Sequence, residues 1–213
     1  MKLELSLYEE QRETWPESGR HILAQYDDES VVVYQAYKPS IGKFAARHGW
    51  FGGDFRYTRM SWIKPNFLWM MYRSNWGTSP GQEIVLAIRL KRNFFDSLLA
   101  VAVPSSFHPA VFPTEKEWQA AVQRSEVRLQ WDPDHGPTGA KQQRRAIQLG
   151  LRRETLRQYG REAILEIGDI SHIVADGRER VESGRIAELR MPTEKVYQPA
   201  DATTGAHIGL AEA

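Results

Sequence analysis

The stretch from residue 59 to residue 74 reads RMSWIKPNFLWMMYRS, which indicates a short strand followed by a helix. We predict the strand over 59–63 and the helix over 66–74, because Pro65 suits the first turn of a helix. Five large apolar side chains follow one another from Phe67 to Met71. A helix that is apolar on most of its faces is typically buried, so this helix is predicted to lie in the core.

The segments around this stretch predict an α+β fold with a mostly antiparallel twisted sheet flanked by helices. Further strands are predicted at 31–37, 83–90 and 127–132, from β-branched composition or alternation. Helices are predicted at 41–48, 93–102, 141–152, 154–167 and after a capping box at 114–117, with 133–137 as a loop. We expect one globular domain over 1–198 and a flexible C-terminal tail over 199–213, where periodicity is lost.

Composition excludes several classes of protein. The 213 residues carry 28 Lys+Arg against 27 Asp+Glu, so the chain as a whole is not a basic nucleic-acid-binding coat. The absence of cysteine excludes thiol catalysis, disulfides and Cys-ligated zinc. Six scattered histidines give no metal-binding pattern, so we expect no metal site. With no apolar run of about 20 residues and acids near the start, we expect a cytoplasmic protein without a membrane partner.

Basic and aromatic residues are nevertheless concentrated locally. Residues 34–76 contain 12 of the 23 aromatic residues, and 56–92 contain seven bases but one acid. Arginine beside aromatic rings is typical of a site that stacks a flat ring and binds phosphate, although core packing alone would also concentrate aromatics. On the predicted basic helix 141–152 and just beyond it, we expect mostly exposed arginines above buried Ile147 and Leu151. These arginines are Arg144, Arg145, Arg152 and Arg153.

The sequence resembles a widespread family known as domain of unknown function 4291. The resemblance rests on the segments 33–37, 59–74, 82–88, 128–133 and 145–151, and it covers roughly residues 20–175. The long Trp/Met/Tyr motif within 59–74 is its most specific part. Membership in this family implies no established activity.

The layout is also similar to that of the ADP-ribosyltransferase superfamily. That fold typically begins with a strand bearing Tyr-His or Arg, and a late strand carries Glu or Gln-x-Glu. Here the corresponding pairs are Tyr34-Gln35 and Gln130-x-Asp132, with a helix ending at Gly49 between them. The chain departs from the pattern at Gln35, which replaces His or Arg, and at Asp132, which replaces Glu.

This second resemblance implies an enzyme that binds NAD and transfers ADP-ribose to an acceptor. Asp132 would stabilise the positive charge on the ribose, Gln130 would orient the acceptor, and Gln35 would complete the catalytic set. The residues expected to bind the cofactor are Tyr34, Arg59, Ser61, Lys64, Tyr72 and Arg73. Tyr72 would stack the nicotinamide, and Arg59, Lys64 and Arg73 would meet the pyrophosphate. A protein arginine, RNA and a small molecule all remain open as the acceptor.

Two other classes of function stay open at this point. An RNA-binding or RNA-end-processing module would stack exposed bases on the region 56–76 and grip phosphates with the basic helix. A non-catalytic domain would use its aromatic residues only as core. The sequence predicts that all nine site residues converge on one pocket, since a buried polar side chain needs a partner.

Overall fold

The computed structural model describes residues 1–109 and 111–211, and this part of the chain forms an α+β fold with twelve strands and eight α-helices. The strands are Leu5–Leu7 (β1), Gly19–Arg20 (β2), Ile22–Ala24 (β3), Ser30–Tyr37 (β4), Ser61–Ile63 (β5), Ile84–Lys91 (β6), Val103–Pro104 (β7), Val127–His135 (β8), Lys141–Leu151 (β9), Ile164–Asp169 (β10), Arg190–Pro192 (β11) and Lys195–Tyr197 (β12). The helices are Tyr8–Arg12 (α1), Pro39–His48 (α2), Phe67–Ser74 (α3), Arg92–Val101 (α4), Glu115–Arg124 (α5), Arg153–Arg161 (α6), Ser171–Glu182 (α7) and Ala202–Ile208 (α8).

Two sheets form the centre of the fold. The first is antiparallel, with the order β10-β6-β4. The second has the order β2-β9-β8-β7, with β5 pairing to β9, and only its short β2–β9 and β7–β8 pairings are parallel. The sheets are therefore mostly antiparallel, as the sequence predicts. Backbone pairing between Tyr34 of β4 and Lys64, just after β5, joins the two sheets.

Strand β4 separates two hydrophobic clusters, because successive side chains of a strand point to opposite faces. Val31 and Val33 belong to the larger cluster, whereas Val32 and Tyr34 pack in the second cluster with α3. The predicted burial of α3 is confirmed, since every residue from Phe67 to Met71 is buried. The side chain of Asn66 accepts a hydrogen bond from the backbone N–H of Trp69 at 2.6 Å and so caps this helix.

The predicted helix over 141–152 is wrong, because these residues form strand β9. Ile147, Leu149 and Leu151 are buried at every second position, which is the period of a strand. The helical prediction places Ile147, Leu149 and Leu151 on the helix, and of these Ile147 and Leu151, four residues apart, fit both periods. Antiparallel pairing with β8, with Leu129 opposite Leu149, settles the choice.

Two further boundaries differ from the prediction. Helix α6 ends at Arg161, and the residues predicted to continue it form β10, where Ile167 pairs with Ile88 of β6. Strand β8 continues through the predicted loop as far as His135, because β9 is long enough to pair with it there. In both places a tertiary partner for the strand outweighs the local preference of the sequence.

The described residues beyond 198 contain helix α8, although a flexible tail was predicted there. Ile208 is buried in the larger cluster, and its carbonyl accepts a hydrogen bond from the Trp131 indole N–H at 2.9 Å. The short helix was hard to see in the sequence because its composition is small and polar.

Candidate functional site

Three nearly parallel rings form a stack where α3 meets the end of β8. The ring centroids of Tyr72 and His135 are 3.6 Å apart, and those of Trp69 and His135 are 5.2 Å apart. His135 is buried, whereas Tyr72 is 46% exposed. The stack therefore holds one aromatic ring at the surface in a fixed orientation, which is what a ring-binding platform needs.

A cavity of about 400 Å³ lies beside this stack. Its lining includes Tyr72 and Trp76 from the end of α3, the turn 136–139 between β8 and β9, and Arg178 from α7. The Trp76 indole N–H donates to the Pro137 carbonyl at 3.1 Å and ties the helix to the turn. The lining thus combines aromatic surface with polar groups, a combination typical of small-molecule sites.

Lys64 is a positively charged residue whose side chain is almost completely buried. It is 6% exposed, and no hydrogen bond or ion pair of its ammonium group is found among the described residues. Burial, assisted by the positive charge of Arg73 and opposed by Asp132, lowers the pKa of Lys64 to about 8. Lys64 is therefore a buried cation that lacks a counter-ion at bonding distance and lies near both Arg73 and Asp132.

Asp132 is held by two amides on the same face of the second sheet. Gln130 Nε2 donates to Asp132 Oδ1 at 2.9 Å, and Gln148 Nε2 donates to Asp132 Oδ2 at 2.6 Å. Gln130 and Gln148 are opposite each other in the β8–β9 register, and continuing the β5–β9 register by one residue places Lys64 beside Gln148. We call Lys64, Tyr72, Arg73, Gln130 and Asp132 the cationic face.

Buried charged residues hold the end of β8 in position. Arg144 Nη2 lies 2.6 Å from Asp134 Oδ2, and the pair is almost completely buried. Burial raises the pKa of Asp134 despite the opposing effect of Arg144. Burial also raises the pKa of Glu194, whose Oε1 accepts the backbone N–H of Phe67 at 2.6 Å. These contacts hold β8 and the start of α3 in place.

Gln35 and Ser61, two of the predicted site residues, lie on the other face of the sheets. The prediction that all nine site residues converge on one pocket is therefore wrong. Gln35 Nε2 donates to Ser61 Oγ at 2.8 Å, and Gln35 Oε1 accepts from the Tyr159 hydroxyl at 2.6 Å. The Tyr37 hydroxyl also lies 2.8 Å from Ser61 Oγ. Lys64 follows Ser61 by three positions, an odd number, so the pleat directs their side chains to opposite faces.

The two remaining predicted residues do not join the cationic face either. Arg59 lines a separate cavity of about 480 Å³ together with Ser61, Lys38 and Asp54. Tyr34 is fully buried in the second cluster and reaches the site only through its backbone pairing with Lys64. Five of the nine predicted residues make up the cationic face. Lys64, Gln130 and Asp132 share one face of the second sheet, the charge of Arg73 reaches Lys64, and Tyr72 contacts His135. Their functional roles stay predictions.

The prediction that the arginines of the basic segment form an exposed phosphate-binding surface is correct only in part. Arg144 was expected to be exposed but is buried against Asp134. Arg152 is half-buried and donates to the Ser125 and Val122 carbonyls at the end of α5. Arg145 and Arg153 are exposed as predicted. The four arginines therefore do not form one helical surface for gripping phosphates.

Sequence reasoning missed three residues at the site, namely Trp69, His135 and Gln148. His135 falls in the predicted loop 133–137, and neither of its ring nitrogens has a hydrogen-bond partner in the described part of the chain. Gln148 was assigned to a helix face, although its alternation with buried Ile147 and Leu149 could have placed it opposite Gln130. Trp69 was treated only as core.

No helix within 1–109 and 111–211 is long and apolar enough to span a bilayer. Nor do three or more His, Asp or Glu side chains come together in these ranges as a metal-binding group would require.

The fold and the site define an α+β protein with a cation-lined, ring-stacking face. The chain belongs to the family described as Domain of unknown function (DUF4291), whose model matches residues 21–197. This match confirms the family resemblance seen in the motif at 59–74. The match includes every residue of the cationic face. No curated protein matches the chain.

Proposed function

We propose that the cationic face binds a nucleotide and that the protein is an ADP-ribosyltransferase-like enzyme that uses NAD. The observation that carries the proposal is the exposed Tyr72 ring, held by its stack on His135, together with the buried Lys64, whose ammonium group has no carboxylate at bonding distance among the described residues and which the charges of Arg73 and Asp132 reach. A dinucleotide offers a flat ring that can stack on Tyr72 and a pyrophosphate that can pair with Lys64.

Tyr72 and Lys64 can each gain a favourable contact when a dinucleotide binds. Tyr72 offers exposed ring surface on which nicotinamide can stack, as the sequence suggested. Lys64 lacks a counter-ion, and Arg73 adds a second positive charge near it. A pyrophosphate between Lys64 and Arg73 would supply the missing negative charge, and charge-assisted hydrogen bonds in a buried setting are strong.

Asp132 is suited to stabilise the transferring ribose. In the reaction the bond between ribose C1′ and the nicotinamide nitrogen breaks, and its electron pair leaves with nicotinamide. Positive charge then develops on the ribose, close to the fixed carboxylate of Asp132, and fixed charges of this kind stabilise transition states. The acceptor forms the new bond to C1′ and loses a proton. Gln130 acts here by positioning Asp132, and Gln35 has no direct part.

The test compares Asp132→Asn with the unchanged protein and with Asp176→Asn, which alters an exposed carboxylate on α7. We expect Asp132→Asn to bind NAD but to release nicotinamide at least about tenfold more slowly, which corresponds to about 1.4 kcal/mol of barrier. Asp176→Asn should behave like the unchanged protein. Equal nicotinamide release from all three, or none from any, would overturn the proposed reaction.

RNA binding or RNA-end processing is the alternative, and Tyr72 would suit a stacked base equally well. It has less support because Arg144 is buried and the expected basic helix is a strand. A salt titration separates the two functions. RNA affinity should fall by orders of magnitude as salt rises, whereas NAD affinity should depend on salt less.

A further inference from the structure

A third cavity, of about 550 Å³, is lined by residues of the second sheet and does not include the stacked rings. Its walls come from β2, from β8 and β9, and from the segment that follows β7. Its lining includes Arg20, Ser106, His108, Gln130, Trp131 and Arg145. Among the residues that the structure describes, this lining contains no acidic side chain.

Two arginines of this cavity lie side by side on neighbouring strands. Arg20 of β2 is the direct register partner of Arg145 of β9. Neither guanidinium has a carboxylate within 4.0 Å among the described residues. Like charges placed directly opposite each other across a strand pair repel, so the free protein gains nothing from this arrangement.

Polar and aromatic groups complete the cavity. His108 Nε2 lies 3.3 Å from Ser106 Oγ, so an imidazole and a hydroxyl stand together in the same lining. The Trp131 indole is fixed by its hydrogen bond to the Ile208 carbonyl, and the Arg20 carbonyl accepts the backbone N–H of Ala211 at 3.0 Å. The C-terminal segment therefore braces the wall that carries Arg20 and Trp131.

We propose that this cavity binds a phosphate group carried by a nucleoside monophosphate. Two adjacent guanidiniums can each present paired N–H donors to phosphate oxygens, which is the geometry that favours arginine for phosphate recognition. A bound dianion removes the repulsion between Arg20 and Arg145. The fixed ring of Trp131 gives the attached nucleoside an apolar surface within the same cavity. The cavity shares Gln130 with the cationic face, but its positive charges, Arg20 and Arg145, are not those of the proposed NAD site.

The experiment titrates the full chain with inorganic phosphate and with adenosine monophosphate by calorimetry. We expect both probes to bind, the nucleotide more tightly, and the double variant Arg20→Gln/Arg145→Gln to lose at least tenfold in affinity for each. The matched control is Arg47→Gln/Arg124→Gln, which removes two exposed arginines elsewhere and should bind like the unchanged protein. Lys64→Met should also retain phosphate binding, which separates this cavity from the NAD site.

Thermal unfolding of the double variant supplies a second readout. Because Arg20 and Arg145 repel each other in the free protein, their removal should leave the unfolding temperature unchanged or raise it. Phosphate binding that the double variant retains after Lys64→Met is added would overturn the proposal, as would no binding to the unchanged protein. A large fall in unfolding temperature would show that the arginines are structural and would also contradict it.

Discussion

Tyr34 and Lys64 exchange backbone hydrogen bonds across the junction of the two sheets. The Tyr34 N–H donates to the Lys64 carbonyl at 2.7 Å, and the Lys64 N–H donates to the Tyr34 carbonyl at 3.3 Å. Because Pro65 and the capping residue Asn66 follow at once, the backbone of Lys64 is fixed on both sides. The fold thus holds the largely buried side chain of Lys64 in place, and within residues 1–109 and 111–211 no carboxylate lies at bonding distance from its ammonium group.

Lys64→Met should make the protein more stable at pH 7. The pKa of Lys64 falls from 10.5 in the unfolded chain to about 8, so the folded state must carry an unfavourable buried charge below pH 8. A shift of this size corresponds to about 3 kcal/mol, which is an upper estimate for the gain in unfolding free energy. The gain should shrink as pH rises from about 8 to 10.5, where the unfolded chain also loses the proton.

Urea unfolding of Lys64→Met, of the unchanged protein and of the control Lys43→Met measures this difference at several pH values. Lys43 is exposed on α2, so its replacement should change little. A Lys64→Met variant that is less stable than the unchanged protein at pH 7 would show that Lys64 stabilises the fold, contrary to its proposed role.

Gln35→Ala should lower stability while leaving NAD affinity unchanged. The variant removes the acceptor of the Tyr159 hydroxyl and the donor to the Trp62 carbonyl, both in the interior. Buried groups left without partners cost about 1–3 kcal/mol each, so we expect a loss of about 2–4 kcal/mol. Gln143→Ala, at an exposed position, is the control. Intact stability with lost nicotinamide release would restore Gln35 to the catalytic set.

Tyr72→Ala and Tyr72→Phe together test the stacking platform. The alanine variant removes the exposed ring and should weaken NAD binding by about 1–3 kcal/mol, the usual contribution of one aromatic stacking contact. The phenylalanine variant keeps the ring and should bind nearly as well as the unchanged protein. Titration calorimetry measures both affinities, and equal binding by Tyr72→Ala would place the flat ring of the ligand elsewhere.

Arg144→Met alone should be strongly destabilising, because it leaves Asp134 buried without its partner. Breaking one side of a buried pair typically costs about 3–5 kcal/mol. Adding Asp134→Asn should recover part of that loss, since the remaining charge is then also removed. A double-mutant cycle by denaturant unfolding measures the coupling between the two residues. Additive effects would mean that the 2.6 Å contact contributes little to stability.

Local patterns predicted much of the fold correctly, and α3 shows why. Its Pro65, Asn66 and run of apolar residues all favour the same buried helix. Strand β9 shows the opposite case, because Ile147 and Leu151 fit a helix as well as a strand. Only pairing with β8 distinguishes the two, and that pairing is formed by residues distant in sequence.

The site was predicted in part for a similar reason. Lys64 and Asp132 stood out as charged residues within largely apolar segments, and both reach the cationic face. Gln35 and Ser61 stood out in the same way but point to the other side of the sheets. The face of the sheet on which a side chain lies depends on the strand register and on where each strand starts. Composition reveals neither. His135 stayed hidden because β8 extends beyond its predicted end.

Calorimetric titration of the unchanged protein with NAD at pH 8, in two buffers of different ionisation enthalpy, tests the central claim most directly. If the pyrophosphate binds beside Lys64, its negative charge raises the pKa of that amine from about 8, so binding should take up protons. The observed heat should then differ between buffers, and Lys64→Met should abolish that difference and weaken the binding. No binding heat in either buffer, or the same proton uptake in Lys64→Met, would contradict the assignment of Lys64 to the nucleotide site.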